Sequence, residues 1–316
     1  MRNGMAGKRL CFQNMHTAFF CCKAVDSFQQ REVFLLKIFT TVAETVAYAK
    51  EQKAAGKTIG LCPTMGALHE GHMTLMRAAR KACDIVIASV FVNPVQFGPN
   101  EDYDKYPRQF DADCEKLEAE GVDAVFHPSP EEMYPAGYGT YITVENGITD
   151  ILCGARRPGH FRGVATVVTK LMNITRANKA FFGQKDAQQV AVVRRFVADL
   201  NLPVEVCMVP ICREESGLAR SSRNSYMSAE EKQAAVVLSR SLRKAKAAYE
   251  AGERSADKLK AVTREELSQE PLANVDYVDL YTYPALQKAD TVTEPCLLAI
   301  AVYIGKTRLI DNVILG

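Results

Sequence analysis

Residues 58–72 read TIGLCPTMGALHEGH. A short apolar run gives way at Pro63 to a segment holding two glycines and two of the chain's five histidines, His69 and His72. The apolar run predicts a buried strand, and the residues after it predict a helix over about 71–82. DIVIASVFV (84–92) follows as a second buried strand, which makes a strand–helix–strand unit. Upstream, TVAETVAYAKEQKAAG (41–56) has helical spacing and stops at Gly56. Downstream the alternation continues with a helix near 109–120, VDAVF (122–126), a helix near 163–175, KAFF (179–182), a helix near 187–200 and VEVCMV (204–209). Such alternation predicts an α/β fold, a Rossmann-like parallel sheet with helices on both faces and a ligand site beyond the carboxyl ends of its strands.

The texture changes after Ile211. A long charged helix begins with Ser228 and Glu231 in capping-box spacing, and a second helix lies near 256–268. VDYVDLYT (275–282), CLLAIAVYI (296–304) and TRLIDNVIL (307–315) then predict strands, the last two joined as a hairpin through Gly305-Lys306. The expected organisation is an N-terminal extension (1–36), a Rossmann-like domain (37–211) and a smaller C-terminal α+β domain (212–316) that closes over the site.

Composition limits the partners. With 39 Lys and Arg against 37 Asp and Glu, the formal charge of +2 gives no global attraction to nucleic acid or an anionic membrane. No apolar run reaches the roughly 18–20 residues that span a bilayer. The ten cysteines form no CxxC pair, as expected of reduced thiols in a cytoplasmic protein. Residues 1–36 lack the pattern of a secretory signal; a disordered tail, an upstream start codon or an organelle transit peptide all remain open.

Several stretches can carry chemistry. A loop that leaves a strand and enters a helix offers backbone N–H groups and a helix dipole to an anion, with Gly66 and Gly71 permitting close approach. His69 and His72 would then share one face, although two ordinary loop histidines fit the same pattern. Asn93 and Gln96 in FVNPVQF (91–97) fall at the end of the next strand, where neutral amides orient hydroxyl or carboxylate groups; a simple turn is the alternative. FFGQKDAQQ (181–189) brings Lys185, suited to phosphate or carboxylate, and Asp186, equally a helix cap or a ribose ligand. GLARSSRNSY (217–226) could close over a triphosphate or be a solvated linker, and RRPGHFRG (156–163) reads as a mobile or substrate-side basic loop, or as a merely solvated one.

PTMGALHEGH, FVNPVQF, YPR (106–108), RPGHFRGVATVV (157–168), FGQKDAQQ, GLARSSRN and IGKTRLIDN (304–312) occur in order, and together they resemble the pantoate-beta-alanine ligase family. HEGH also resembles the HxGH signature of nucleotidylyltransferases and class I aminoacyl-tRNA synthetases. The resemblance implies an ATP-dependent condensation of pantoate with beta-alanine to give pantothenate, AMP and diphosphate through a pantoyl adenylate, with Mg2+, in a homodimer.

It also implies roles. Met65, Gly66, Ala67, Leu68, His69, Glu70, Gly71 and His72 would line the ATP site, His69 and His72 on the phosphates and His72 as proton donor. Lys185 would bridge phosphate and pantoate. Gly183, Gln184 and Asp186 would contact the nucleotide, as would Cys212 through its backbone, and Arg220, Ser221, Ser222 and Arg223 would approach the phosphates. Gln96, Gln189 and Asn93 would hold pantoate, Gln96 would also meet beta-alanine, and Asp113 is the candidate magnesium ligand. Arg220, Cys212 and Ser216 stand where the family usually has an apolar residue, valine and aspartate. A nucleotidylyltransferase forming no amide, and a non-catalytic nucleotide-binding module, are the competing readings.

Overall fold

Strands that are apolar at nearly every position must be covered on both faces, and this requirement organises the chain. The computed structural model describes residues 35–99 and 101–316. Its elements run β1 (Lys37–Phe39), α1 (Val42–Ala54), β2 (Ile59–Thr64), α2 (Glu70–Ala82), β3 (Ile85–Val90), α3 (Phe110–Ala119), β4 (Ala124–Phe126), α4 (Pro130–Met133) and α5 (Leu152–Arg156). They continue with α6 (His160–Thr175), β5 (Lys179–Gly183), α7 (Ala187–Asp199), β6 (Glu205–Val209), α8 (Ala229–Glu250), α9 (Ala256–Leu267), β7 (Ala273–Thr282), β8 (Cys296–Ile304) and β9 (Thr307–Leu315).

The first six strands form one parallel sheet in the order β1-β4-β3-β2-β5-β6. Every residue of β3 is buried, as is nearly all of α6, and each aliphatic side chain so buried contributes about 1.5–3 kcal/mol. The chain leaves β2 toward β3 on one side and, later, leaves β5 toward β6 on the other. That reversal is a topological switch point, and it leaves a crevice at the carboxyl ends of β2 and β5.

The remaining strands form an antiparallel sheet in the order β7-β8-β9. Period-two alternation divides its faces. Leu298 and Ile300 pack in one core cluster with Leu238, Leu242 and Leu259 of α8 and α9. Leu297 and Ala299 belong instead to the cluster that contains Val193 and Phe196 of α7 and the apolar face of α6.

Several elements differ from expectation. Helix α6 starts at His160 rather than near 163, because Gly159, at φ +80°, turns the chain directly into the helix. His160 is therefore a buried first-turn residue and not part of an open basic loop. The three-residue β1 and the short α4 and α5 lie below the length at which periodicity is readable. Of the N-terminal extension only Leu35 and Leu36 are among the described residues, so the expectation for the rest lies outside them. The long α8 begins with the expected reciprocal Ser228 and Glu231 cap.

One close approach matters for the site. A Cβ at Gly163 would lie 2.5 Å from the Val95 carbonyl oxygen and 2.6 Å from the Gln96 nitrogen, so α6 rests directly on the 3-10 turn Pro94–Gln96. Gly163→Ala is expected to force the two apart and to lower stability by about 1–3 kcal/mol in urea unfolding. An unchanged midpoint would show that this contact yields freely.

Candidate active site

A cavity of about 230 Å3 lies at the switch point, walled by Pro63 to Met65 at the end of β2, Phe91 and Asn93 after β3, Phe182, Gly183 and Lys185 at the end of β5, and Pro210 to Cys212 after β6. It adjoins a second cavity of about 570 Å3, with which it shares Arg157, His160, Lys185, Asp186, Gln189, Ser221 and Arg223.

The 65–72 segment is held through its backbone by side chains of α3. Gly66 and Ala67 both have positive φ, +84° and +50°. Asp113, fully buried at the start of α3, accepts the N–H groups of Ala67 (2.8 Å) and Leu68 (2.7 Å), and Lys116 donates to the Leu68 carbonyl (2.7 Å). These loop N–H groups are thus engaged with a carboxylate of the protein, and Asp113 does not line the cavity. Gly66, Ala67, Leu68, Glu70 and Gln184 are also absent from its wall; Glu70 pairs with Arg77 on the outside.

His69 and His72 do line the cavity, and they cap α2 reciprocally. His69 Nδ1 accepts the Gly71 N–H (3.1 Å), and His72 Nδ1 accepts the His69 N–H (3.2 Å). Both Nδ1 atoms are acceptors, so each neutral ring carries its proton on Nε2. Burial, with the charges of Lys185 and Arg220 next, lowers the His69 pKa to about 4; burial likewise drives His72 well below its ordinary value. The glycine between them is required sterically, since a Cβ at Gly71 would lie 2.8 Å from the His69 ring.

The amides divide into structural and open groups. Gln188 is buried and ties the Cys153 N–H to the Ile148 and Ile151 carbonyls, whereas Gln189 lines both cavities. Asn93, 1% exposed, has both ends engaged, while Gln96 beside it donates to Met65 Sδ at 2.9 Å. His160 donates from Nδ1 to the Gln96 carbonyl (2.9 Å) and accepts from Arg157 (3.1 Å); burial lowers its pKa to about 4, the Arg157 charge adding to the effect.

Four cations face the cavity, and they are not equivalent. Arg157 is paired with Glu101, and Arg223 makes a two-point pair with Asp102 at 3.1 and 2.9 Å. Lys185 and Arg220 have no carboxylate partner among the described residues, and Arg220 Nε is buried without any hydrogen bond. Ser221 caps the turn Ser222–Tyr226 by accepting the Arg223 N–H, and Ser222 donates to the Ala67 carbonyl (3.3 Å). Asp186 is exposed, lines both cavities and makes no cap bond to α7.

The family model described as Pantoate-beta-alanine ligase matches residues 37–314. The chain belongs to the pantoate-beta-alanine ligase family. The ligase is 57% identical over 279 residues to the pantothenate synthetase of Pelotomaculum thermopropionicum, covering 88% of this chain and 99% of that one. It is 54% identical to the pantothenate synthetase of Bacillus cereus, covering 89% of this chain and 99% of the relative. Its fold matches a crystal structure of the Thermus thermophilus pantothenate synthetase with a TM-score of 0.84 at 42% identity over 88% of this chain and 99% of that one. It also matches the Francisella tularensis ligase complexed with beta-gamma ATP and beta-alanine, at TM-score 0.73 and 34% identity over 88% and 97%.

Two supports of the site in this ligase carried no chemical signal of their own in the sequence. Asn312 of β9 bridges the Gln184 and Lys185 carbonyls at 2.9 and 3.0 Å, and so fixes the turn presenting Lys185. Its neighbour Asp311 holds Arg213 at 2.6 and 2.9 Å, anchoring the segment that leads to Arg220. Both lie in IGKTRLIDN, a motif whose side-chain roles emerge only from the fold. Tyr106 of YPR also lines the cavity.

The histidine tautomers are directly measurable. In 15N spectra of the protein at pH 6, His69 and His72 are expected as neutral rings protonated at Nε2; imidazolium signals would contradict the reciprocal cap. A pKa depressed from about 6.5 to about 4 means that the unfolded chain takes up protons first, so the contribution of His69 to stability falls as pH drops through that window.

Proposed function

We propose that the switch-point cavity is where this ligase activates pantoate as an adenylate, with ATP phosphates against the first turn of α2, Lys185 and Arg220, and with pantoate against Gln96 and Gln189. The observation that carries the reading is the set of open groups. Lys185 and Arg220, without a carboxylate partner among the described residues, and the two Nε2–H donors line the same cavity as the neutral amides of Gln96 and Gln189. Such a set suits a polyphosphate beside a small hydroxy acid.

On this reading the pantoate carboxylate attacks the α-phosphorus, an O–P bond forms, and the bond to diphosphate breaks with its electron pair leaving on diphosphate. His69 and His72 stabilise the charge by donating hydrogen bonds from Nε2 rather than by releasing a proton, since both are neutral before ATP arrives. Lys185, which borders both cavities, neutralises the oxygens that join the two substrates. The beta-alanine amine then attacks the acyl carbon and AMP departs. Asp186 is assigned to the ribose and the Cys212 backbone to the adenine.

Magnesium is assigned to the triphosphate. Among the described residues no group of three or more His, Cys, Asp or Glu side chains is placed to hold a metal ion. Closure of residues 212–316 over 37–211, a homodimer and a cytoplasmic setting complete the proposal, supported by the family resemblance.

Exchange of labelled diphosphate into ATP, with pantoate present and beta-alanine absent, tests the scheme. Label is expected in ATP only when pantoate is added; exchange without pantoate, or ADP as the product once beta-alanine is supplied, would contradict it. Lys185→Ala is expected to lower kcat/KM by at least about a hundredfold, the scale for one positioned charge-stabilising donor. Arg220→Met is expected to weaken ATP about tenfold while leaving adenosine binding unchanged in calorimetry; equal losses for both would place Arg220 at the base instead.

A further inference from the structure

We infer that Tyr134 and Asn93 are positioning residues that fix the polarity of Gln96, so that Gln96 offers N–H donors to the cavity and recognises an acceptor oxygen of the substrate. The inference rests on the reading that pantoate occupies this cavity, and it adds which way round the amide faces and what enforces it.

The polarity of Asn93 is set by two backbone groups that cannot reverse. The Val95 N–H can only donate, and it points at Asn93 Oδ1 (3.4 Å). The Gly163 carbonyl can only accept, and it lies 3.2 Å from Asn93 Nδ2. With Asn93 held in that orientation, the Tyr134 hydroxyl must donate to Oδ1 (2.8 Å), and Gln96 must turn its Oε1 toward Nδ2 (3.1 Å). The Gln96 Nε2 group is left beside Met65 Sδ (2.9 Å), a weak acceptor that a substrate oxygen readily replaces. The tyrosine ring is in turn held against Phe91 and Tyr138, and burial raises the hydroxyl pKa so that it keeps its proton. Asn93 itself has little capacity left for a ligand and acts through Gln96.

This chain of bonds selects chemistry. A carboxylate or hydroxyl oxygen is accepted at Gln96, and an ammonium group there would meet a donor. The Gln96 position is therefore assigned to an acceptor oxygen, of pantoate or of the beta-alanine carboxylate, and not to the beta-alanine ammonium group.

Two substitutions in the full-length protein test the inference. Tyr134→Phe removes one donor to Asn93 and is expected to raise the pantoate KM about three- to tenfold, with kcat at saturating pantoate and the ATP dissociation constant changed less than twofold. Asn93→Asp replaces the Nδ2 donor by an acceptor, which repels the Gln96 Oε1 and turns the amide over; the pantoate KM is expected to rise at least about thirtyfold, again with ATP affinity retained. An unchanged pantoate KM in Tyr134→Phe overturns the positioning role, and parallel losses of pantoate and ATP binding overturn it in favour of general loosening. Loss of pantoate-dependent activity in the unsubstituted protein would instead remove the reading of the cavity on which the inference rests.

Discussion

The site exists because the chain reverses direction between β2 and β5. Helix α2 leads from β2 to β3 and helix α7 from β5 to β6, on opposite sides of the crevice, so no crossover covers the strand ends between them. The residues that leave those two ends, Met65 to His72 and Gly183 to Gln189, must therefore converge. Their convergence puts the positive end of α2, Lys185 and the Gln189 amide around one small cavity.

Within that crevice the chemistry is decided by which polar groups are left over. Buried donors and acceptors in folded proteins are almost all paired. Here Asp113 closes the 66–68 loop, Asp102 and Glu101 neutralise two arginines, and Gln188 and Asn312 tie backbone carbonyls. The two imidazole Nδ1 atoms cap their own helix. Among the described residues, what faces the cavity unengaged is a short set: the Nε2–H groups of His69 and His72, Lys185, Arg220 and Gln189, to which Gln96 Nε2 adds a donor held only by the Met65 sulfur. Asp113, expected from the sequence as a magnesium ligand, has the opposite kind of role, as an interior anion that shapes the loop beside the histidines.

Much of this was legible in the residues. The parallel sheet followed from apolar runs such as 85–90 alternating with helical spacing, and the Gly305-Lys306 turn marked the β8–β9 hairpin. The motifs at strand ends drew attention to His69, His72, Gln96, Lys185 and Gln189, all of which line the cavity. Which members of a motif point inward was not legible. Gln188 and Gln189 are identical residues one position apart, and only helix phase sends one into the core and the other to the cavity. Pairing was equally hidden, because Arg223 meets Asp102 and Arg213 meets Asp311 across long stretches of chain. Nothing in GLARSSRN distinguishes the engaged arginine from the open one.

If the open groups, and not the paired ones, receive the substrates, a crystal structure of the protein with a non-hydrolysable ATP analogue and pantoate will show it. Phosphate oxygens are expected at His69 Nε2, His72 Nε2, Lys185 and Arg220, with the Arg157–Glu101 and Arg223–Asp102 pairs intact and a pantoate oxygen at Gln96 Nε2. Phosphates seated on Arg157 and Arg223 after displacement of Glu101 and Asp102, with Lys185 and Arg220 still unengaged, would contradict it.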